Sequence, residues 1–196
     1  MKKQRTTVAV TGGIGSGKTA VMRLIEEKKY PVFSCDEIYR EISESEEYLL
    51  KIKAMFPSVI TEKGGLDRRK LSQIVFNDKA ALNRLNAAAH PLILSELKRR
   101  IEEQSGLVFC EVPLLFEGGL EGEFDYVIIV KRPIQDRVLA VCERDKISRE
   151  DALKRIANQF DYQKLTLLPE NFFVLDNSGT KTQLAEGLEQ IIKKLL

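Results

Sequence analysis

The sequence of 196 residues has few cysteines, and those it has form no motif. Cys35, Cys110 and Cys142 lie far apart, and no C-x-x-C pair or zinc-ligand spacing links them. Three scattered cysteines do not make a disulfide framework or a structural metal site. We therefore predict free, buried thiols in a reducing compartment.

The chain also lacks any apolar run long enough to cross a membrane, and it lacks the hydrophobic segment of a secretory signal. Its basic start is followed by only three apolar residues, Val8–Val10, before Gly12 interrupts the run. The excess of positive charge is small, because 31 Lys and Arg face 29 Asp and Glu for a net charge of +2. Together these absences predict a cytoplasmic protein with no membrane or nucleic-acid partner.

What is present near the start is a glycine-rich turn between a short apolar strand and a helix predicted at 20–29. Gly12, Gly17, Lys18 and Thr19 meet the pattern G-x-x-x-x-G-K-[ST]. Glycines let successive backbone N–H groups converge on a phosphate, and the helix N-terminus behind them attracts the same anion. In such turns the lysine reaches the β- and γ-phosphates and the hydroxyl binds Mg²⁺. An accidental match is the alternative, but the flanking strand and helix favour a nucleotide-phosphate site.

Five apolar or β-branched runs alternate with helical patterns along the chain. This alternation predicts a parallel sheet with helices on both faces. The helical pattern between the second and third runs covers 37 to about 100, which is too long for a simple crossover and predicts a helical insertion on an α/β core. The predicted strands are 8–10, 31–34, 107–110, 126–130 and 172–175.

Local signals mark several boundaries of helices and turns. Ser148 precedes acidic residues and is the predicted cap of one helix, whose predicted apolar face consists of Leu153, Ile156, Ala157 and Phe160. Thr180 and Gln183 form a predicted capping box for the last helix. Pro133 suits the first turn of the helix that follows the fourth strand. The run Glu62–Gly65 predicts a turn inside the helical insertion.

Ligands of such sheets bind beyond the carboxyl ends of the strands, so polar residues there are the candidates for chemistry. Asp36 follows the second strand and either caps the next helix or orients a substrate hydroxyl and accepts its proton; the sequence leaves both open. Glu111 ends the third strand, in the position of an acid that holds Mg²⁺ through water. Glu117 lies six residues further on, in a loop that contains proline and glycine, and by itself it suggests a solvated loop acid.

The basic segment 131–164 and the histidine each have a structural explanation and a functional one. The segment 131–164 carries nine basic against six acidic side chains. It is either a soluble helix surface or a lid that brings arginines onto a transferring phosphoryl group. His90 is the one histidine and precedes a proline. We expect it to cap or pack rather than to catalyse.

The order and spacing of these residues resemble the dephospho-CoA kinase family over nearly the whole chain. The P-L-L-F-E block at 113–117 is the most specific match after the glycine-rich turn. The other matching blocks are T-G-G-I-G-S-G-K-[ST] at 11–19; Asp36, Ile38 and Arg40 of D-x-D-x-I-x-R; Leu66, Asp67, Arg68 and Leu71 of L-D-R-x-x-L; His90–Pro91; Arg144, Asp145 and Ser148 of R-D-x-x-S; Arg155, Gln159 and Lys164; and D-N-S-G at 176–179.

The chain departs from the family pattern at several positions, and none of the changes removes a group of the glycine-rich turn. Two of them fall in the basic segment 131–164. The departures are Ser34 for the first acid of D-x-D, Glu111 for the Asp before P-L-L-F-E, Arg137 and Ala140 for the pair Q-x-x-R, Asn171 and Phe172 for Ala-Asp, and Ala20 for Thr or Ser.

The resemblance implies an α/β fold with the five-stranded parallel sheet of P-loop NTPases and kinases, a helical substrate-binding insertion and a short lid. It implies one P-loop kinase domain with its core at 1–35, 107–132 and 165–196, the insertion at about 36–106 and the lid at about 133–164. The implied reaction transfers the γ-phosphoryl group of ATP, with Mg²⁺, to the ribose 3′-hydroxyl of dephospho-CoA, the last step of coenzyme A biosynthesis. The implied protein is a monomer or a weak homo-oligomer.

The resemblance also implies roles for individual residues. Lys18, Asp36 and Arg144 are expected to be catalytic, with Asp36 as the base, and Thr19 is the expected metal ligand. ATP is expected to bind Arg155 and the turn residues Gly12, Gly13, Ile14, Gly15, Ser16, Gly17, Lys18, Thr19 and Ala20. The expected substrate-binding residues are Asp36, Arg40, Arg68, His90, Leu114 and Glu117.

Two other functions are compatible with a phosphate-binding turn alone. Another small-molecule P-loop kinase, such as a nucleoside monophosphate kinase, is the nearer alternative, and the P-L-L-F-E and His-Pro blocks argue against it. A GTPase switch or a non-catalytic nucleotide sensor is the second alternative, and a GTPase would show an N-K-x-D guanine motif and a D-x-x-G switch after the third strand. The sequence has neither at the required place.

Overall fold

The computed structural model describes residues 5–165 and 168–196 of the chain. These residues form two compact units. The first unit consists of Met1–Ser34 and Gln104–Leu196, and the second consists of Cys35–Glu103.

The first unit is built on a five-stranded sheet in which all neighbouring strands are parallel. Its strands are β1 (Arg5–Thr11), β2 (Val32–Ser34), β3 (Gly106–Glu111), β4 (Tyr126–Lys131) and β5 (Phe172–Asp176). Their order across the sheet is β2-β3-β1-β4-β5. The predicted parallel five-stranded sheet is therefore confirmed, and the strand that leads into the glycine-rich turn lies at its centre.

Helices cover the sheet in the first unit and make up most of the second. The helices of the described residues are α1 (Lys18–Glu27), α2 (Cys35–Ile42), α3 (Glu46–Met55), α4 (Arg68–Asn77), α5 (Lys79–Glu102), α6 (Ile134–Asp145), α7 (Arg149–Ala157) and α8 (Lys181–Leu195). The alternation of strand and helix in the first unit is the α/β arrangement that the sequence predicted.

β1 is longer than the apolar pattern predicted. It begins at Arg5 rather than Val8, because Arg5 pairs with Gly106 and Thr7 pairs with Val108 across the β1–β3 ladder. Polar side chains at the start of the strand hide it from a search for apolar runs. The pairing with β3 decides its extent.

The main core of the first unit joins the sheet to α1 and α8. Val10 of β1, Ile25 of α1 and Leu188 of α8 are fully buried in one apolar cluster. Burial of side chains of this size stabilises the fold by about 1.5–3 kcal/mol each. The predicted capping box of α8 is confirmed, since Thr180 and Gln183 each accept from the other's backbone N–H.

Helix boundaries differ from the predicted ones where the backbone changes conformation. α1 begins two residues before the predicted 20–29, because Gly17 has a left-handed φ of 94° and is its N-cap. It ends early because Lys29 has a φ of 65°. Pro133 is the N-cap of α6 and not a residue of its first turn, whereas Ser148 caps α7 as predicted.

α6 and α7 pack on each other through a small core of their own. Val138 of α6 and Ile156 of α7 are buried in it, and Ile14 of the glycine-rich turn packs against them. Two residues predicted on the apolar face of α7 lie elsewhere: Leu153 is 38% exposed, and Phe160 follows the end of the helix. The helix is shorter than its apolar pattern, so the pattern overestimated its buried face.

The second unit is helical, as predicted, and α2 to α5 surround a separate core. Tyr48 and Ile52 of α3 are fully buried there, and Leu71 of α4 and Ala89 of α5 pack with them. The predicted turn at 62–65 is confirmed beside a short antiparallel bridge.

Within the described ranges, no helix is both apolar and long enough to cross a bilayer. No cluster of three or more His, Cys, Asp or Glu in the same ranges has the spacing to hold a metal ion. None of the three cysteines forms a disulfide; Cys35 and Cys110 are buried and Cys142 is half-buried.

Candidate active site

The glycine-rich turn joins the carboxyl end of β1 to the start of α1. Its last glycine, Gly17, has a positive φ and is the N-cap of the helix. A β-carbon at Gly17 would overlap the amide of Asn177, whose Nδ2 donates a hydrogen bond of 2.8 Å to Ser16 O. Position 17 therefore requires glycine both for its backbone conformation and for the space that Asn177 occupies.

Lys18 is the first residue of α1, and its ammonium group folds back over the turn. Its Nζ donates to Gly12 O at 2.7 Å and lies 3.5 Å from Gly13 O. Thr19 follows and is exposed, while Ser16 Oγ is buried without a hydrogen-bond partner among the described residues. A cation, an exposed hydroxyl and the N-terminus of a helix suit the phosphates of a nucleotide with its magnesium ion.

Ile14, in the middle of the turn, is held on both sides by residues from outside the turn. Its N–H donates to Gln159 Oε1 at 2.6 Å, and its carbonyl accepts from Arg137 Nε at 2.9 Å. Neither residue was predicted to belong to the site. Gln159 and Asn177 fall within blocks that match the family, and this match could have indicated that they belong to the site. Arg137, by contrast, is one of the departures from the family pattern.

Tyr162 also reaches the turn, although no motif marked it. Its hydroxyl lies 3.2 Å from Thr11 Oγ1 at the end of β1, and burial raises the pKa of Tyr162 to about 12. The ring packs edge-on against Phe116 and Phe160, which stack on each other with centroids 4.7 Å apart. Tyr162 is therefore neutral and connects the segment after α7 with the strand that carries the turn.

The two predicted lid arginines meet at one carboxylate. Arg144 donates to both oxygens of Asp145 at 2.7 and 3.0 Å, and Arg155 Nη1 donates to Oδ2 at 2.7 Å. The hydrogen bond from Arg144 is the largest cause that lowers the pKa of Asp145. Both arginine side chains remain largely exposed, so a phosphate has access to their other donors.

Three candidate residues lie at or just after the end of β3. Glu111 is its last residue and is half-buried, and Leu114 is 37% exposed in the following turn. Glu117 Oε1 accepts a hydrogen bond of 2.9 Å from Phe160 N. Glu117 therefore has a defined protein partner and is more than a solvated loop acid.

The other four predicted residues lie in the second unit. Asp36 is the second residue of α2 and is exposed, so the alternative that it caps this helix is wrong. Arg68 Nη2 donates to Ser43 Oγ at 2.7 Å and to Arg40 O at 3.3 Å, which brings two predicted residues together. Burial lowers the pKa of His90 from its ordinary value of 6.5, which favours the neutral imidazole.

Known proteins match the chain over almost its full length. A profile described as dephospho-CoA kinase matches residues 6–183. The dephospho-CoA kinase of Thermus thermophilus is 34% identical over 98% of this chain and 93% of its own length, and that of Fusobacterium nucleatum is 32% identical over 96% and 97%. The crystal structure of TT1252 from Thermus thermophilus matches with a TM-score of 0.85 and 33% identity, and it covers 99% of this chain and 100% of its own. The dephospho-CoA kinase of Campylobacter jejuni has a TM-score of 0.62 at 22% identity over 97% of each chain, which supports the fold alone.

Proposed function

The chain belongs to the dephospho-CoA kinase family, and from this premise we propose that it transfers the γ-phosphoryl group of ATP to the ribose 3′-hydroxyl of dephospho-CoA. The products are coenzyme A and ADP. Beside the family match, the observation that carries the proposal is the Lys18 ammonium group over the glycine-rich turn, 2.7 Å from Gly12 O. Phosphoryl transfer has a loose transition state, so positioning and charge stabilisation supply most of the rate enhancement.

ATP is proposed to bind with its phosphates in the turn. Gly12–Ala20 form the proposed phosphate site, in which backbone N–H groups other than that of Ile14, which the protein already uses, hold the phosphate oxygens. Lys18 contacts the β- and γ-phosphates. The Thr19 hydroxyl is the proposed Mg²⁺ ligand, and Glu111 is the acid that holds the ion through water. When bound, the ion neutralises charge on the β- and γ-phosphates.

Asp36 is the proposed base for the acceptor. Its exposed carboxylate follows β2 by two residues. It orients the 3′-hydroxyl and accepts its proton while the new O–P bond forms and the bond between the γ-phosphorus and ADP breaks. Arg144 and Arg155 are proposed to stabilise the charge on the transferring phosphoryl group.

Five further residues are proposed to bind dephospho-CoA. Arg40 and Arg68 offer guanidinium groups, which suit the phosphates of this substrate. Leu114 offers an exposed apolar side chain. His90 and Glu117 complete the set, and the Phe160 contact of Glu117 does not occupy its second carboxylate oxygen.

A coupled assay for ADP release tests the proposal. The purified protein is given ATP and Mg²⁺ with dephospho-CoA, with AMP, or with no acceptor, and the same reactions are repeated with GTP. We expect ADP release that depends on dephospho-CoA and a product phosphorylated at the 3′ position by NMR. Release that depends on AMP would instead show a nucleoside monophosphate kinase, and release without an acceptor would show a nucleotidase.

Location and assembly are proposed separately from the reaction. We propose a cytoplasmic protein, since none of the three cysteines forms a disulfide. We propose a monomer or a weak homo-oligomer, which light scattering after size-exclusion chromatography tests over a range of concentrations.

A further inference from the structure

The guanidinium group of Arg137 lies directly against the glycine-rich turn. Its Nε donates to Ile14 O at 2.9 Å. A β-carbon at Gly13 would overlap Nη2 and lie 2.7 Å from Cζ, so the absence of a side chain at position 13 makes room for this group. The backbone of Arg137 is equally close to the turn, since its carbonyl oxygen would lie 2.6 Å from a β-carbon at Gly15.

Most of the hydrogen-bonding capacity of Arg137 is not used by the protein. The Ile14 contact uses Nε–H, and the four N–H groups on Nη1 and Nη2 have no hydrogen-bond partner in the described ranges 5–165 and 168–196. Within the same ranges no carboxylate oxygen lies within 4.0 Å of this side chain. Arg144 and Arg155 differ in this respect, because both are paired with Asp145.

A second cation lies at the same glycine. Lys18 Nζ is 3.5 Å from the carbonyl oxygen of Gly13, whereas the guanidinium group of Arg137 lies beside the α-carbon of the same residue. Arg137 is half-buried, and this burial lowers its pKa, because a guanidinium that loses water without gaining a counter-charge is destabilised. An anion bound beside Arg137 would supply the counter-charge that this guanidinium lacks.

We propose that Arg137 is a further ATP ligand, whose terminal guanidinium nitrogens bind the polyphosphate from the side of α6. This inference rests on the proposed ATP-dependent activity. The chain has Ala140 on the next turn of α6, so Arg137 is the residue of this pair that brings a positive charge to the phosphates. The contact through Nε fixes the side chain in place before the nucleotide arrives.

The competing explanation is that Arg137 only tethers Ile14. Arg137→Gln separates the two explanations, because the amide keeps an N–H donor for Ile14 O but removes the charge. Arg137→Lys keeps the charge, and Arg137→Met removes both. Arg23→Gln is the matched control, since Arg23 is exposed on α1 and loses the same charge.

Calorimetric titrations with ATP and with ADP, without any acceptor, measure the effect. We expect Arg137→Gln to raise the Kd for both nucleotides by about 10- to 100-fold, the range of a charge-assisted hydrogen bond. We expect Arg137→Lys to recover part of this loss and Arg23→Gln to bind as the wild type does. The dependence of log Kd on log salt concentration should be shallower for Arg137→Gln, because one charge pair fewer is screened.

Binding of ATP and ADP by Arg137→Gln within about twofold of the wild type would overturn the inference and leave Arg137 as a tether. A melting curve for each variant shows whether it is folded, and the lysine variant provides a second test if the glutamine variant is not. The same measurements distinguish failure of this inference from failure of the proposed function. A wild type that binds ATP but does not phosphorylate dephospho-CoA contradicts that function alone, whereas a wild type that binds neither nucleotide contradicts both.

Discussion

Glu117 accepts a hydrogen bond of 2.9 Å from the backbone N–H of Phe160, although the two residues are 43 positions apart in the chain. The residue before Glu117 makes a second contact with the same partner, because the rings of Phe116 and Phe160 stack with centroids 4.7 Å apart. The turn after β3 is therefore joined to the segment after α7 by one polar and one aromatic contact. A residue proposed to bind substrate thus also anchors the end of the proposed lid.

Substitution of Glu117 separates these two roles. Glu117→Ala removes the acceptor for Phe160 N–H, and we expect it to lose about 0.5–1.5 kcal/mol of stability, or about 1–6 °C in Tm. Glu117→Gln keeps an acceptor and should melt as the wild type does. Amide exchange at Phe160, followed by mass spectrometry, should accelerate only in the alanine variant. Equal melting of all three proteins with activity lost in both variants would show that the carboxylate acts on the substrate and not on Phe160.

Lys18→Ala tests the assignment of the phosphate-binding turn. Lys18 is proposed to neutralise charge on the transferring group, so its loss should lower turnover at saturating ATP by about 10²-fold or more. The fold should survive, because the side chain is not part of an apolar cluster. Arg23→Ala on the exposed face of the same helix is the control and should keep full activity. Unchanged turnover in Lys18→Ala would exclude Lys18 as a phosphate ligand.

Asp36→Asn tests the proposed base, and the structure supplies a matched control. Glu37 lies beside Asp36 in the first turn of α2 and is also exposed, so Glu37→Gln removes the same charge from the same helix end. Both changes should cost about 0.3–1 kcal/mol through the helix dipole. We expect only Asp36→Asn to lower phosphoryl transfer, by about 10²–10⁴-fold, with ATP affinity nearly unchanged. If the two variants are equally active, the base has to be sought elsewhere.

The single histidine gives a prediction for stability against pH. Burial lowers the pKa of His90 in the folded protein below its ordinary value of 6.5, so the unfolded chain takes up this proton at a higher pH than the folded one does. The free energy of unfolding should therefore fall as pH drops from about 7.5 to about 5.5. The free energy of unfolding of His90→Gln should fall less over this range, and the difference from the wild type should be about 1 kcal/mol or less. Urea titrations of both proteins at the two pH values measure this difference, and parallel curves would contradict the prediction.

The elements of the fold were predictable where the signal is local. Apolar runs marked all five strands, and the pairing of Thr180 with Gln183 marked the start of α8. The sequence signal failed where the local structure depends on contacts with residues far away in the chain. The polar start of β1 is a strand because Arg5 pairs with Gly106. Phe160 lies beyond the end of α7, and its ring stacks on Phe116.

The same distinction applies to the candidate site. The turn from Gly12 to Thr19 is contiguous, so its pattern can be read directly from the letters. Tyr162 and Arg137 act on it through contacts across 151 and 123 positions, and nothing in the sequence near either residue indicates the turn as its neighbour. For Asp36, local sequence could not distinguish a cap from a first-turn acid, because that depends on whether the helix begins at Glu37 or, as observed, two residues earlier at Cys35.

Because β1 lies at the centre of the sheet, the turn that follows it does not have to become ordered when the nucleotide binds. A flexible loop that becomes ordered on its ligand loses about 1–2 kcal/mol of backbone entropy per residue, and this loss weakens the complex. Here the turn departs from a strand that is hydrogen-bonded along both edges, and Ile14 is held at both its N–H and its carbonyl. The turn is thus ordered when the chain folds, before any ligand arrives. A substitution that destabilises β1 should therefore weaken the binding of ATP, ADP and inorganic phosphate to a similar extent, whether or not a nucleobase or an acceptor substrate is present.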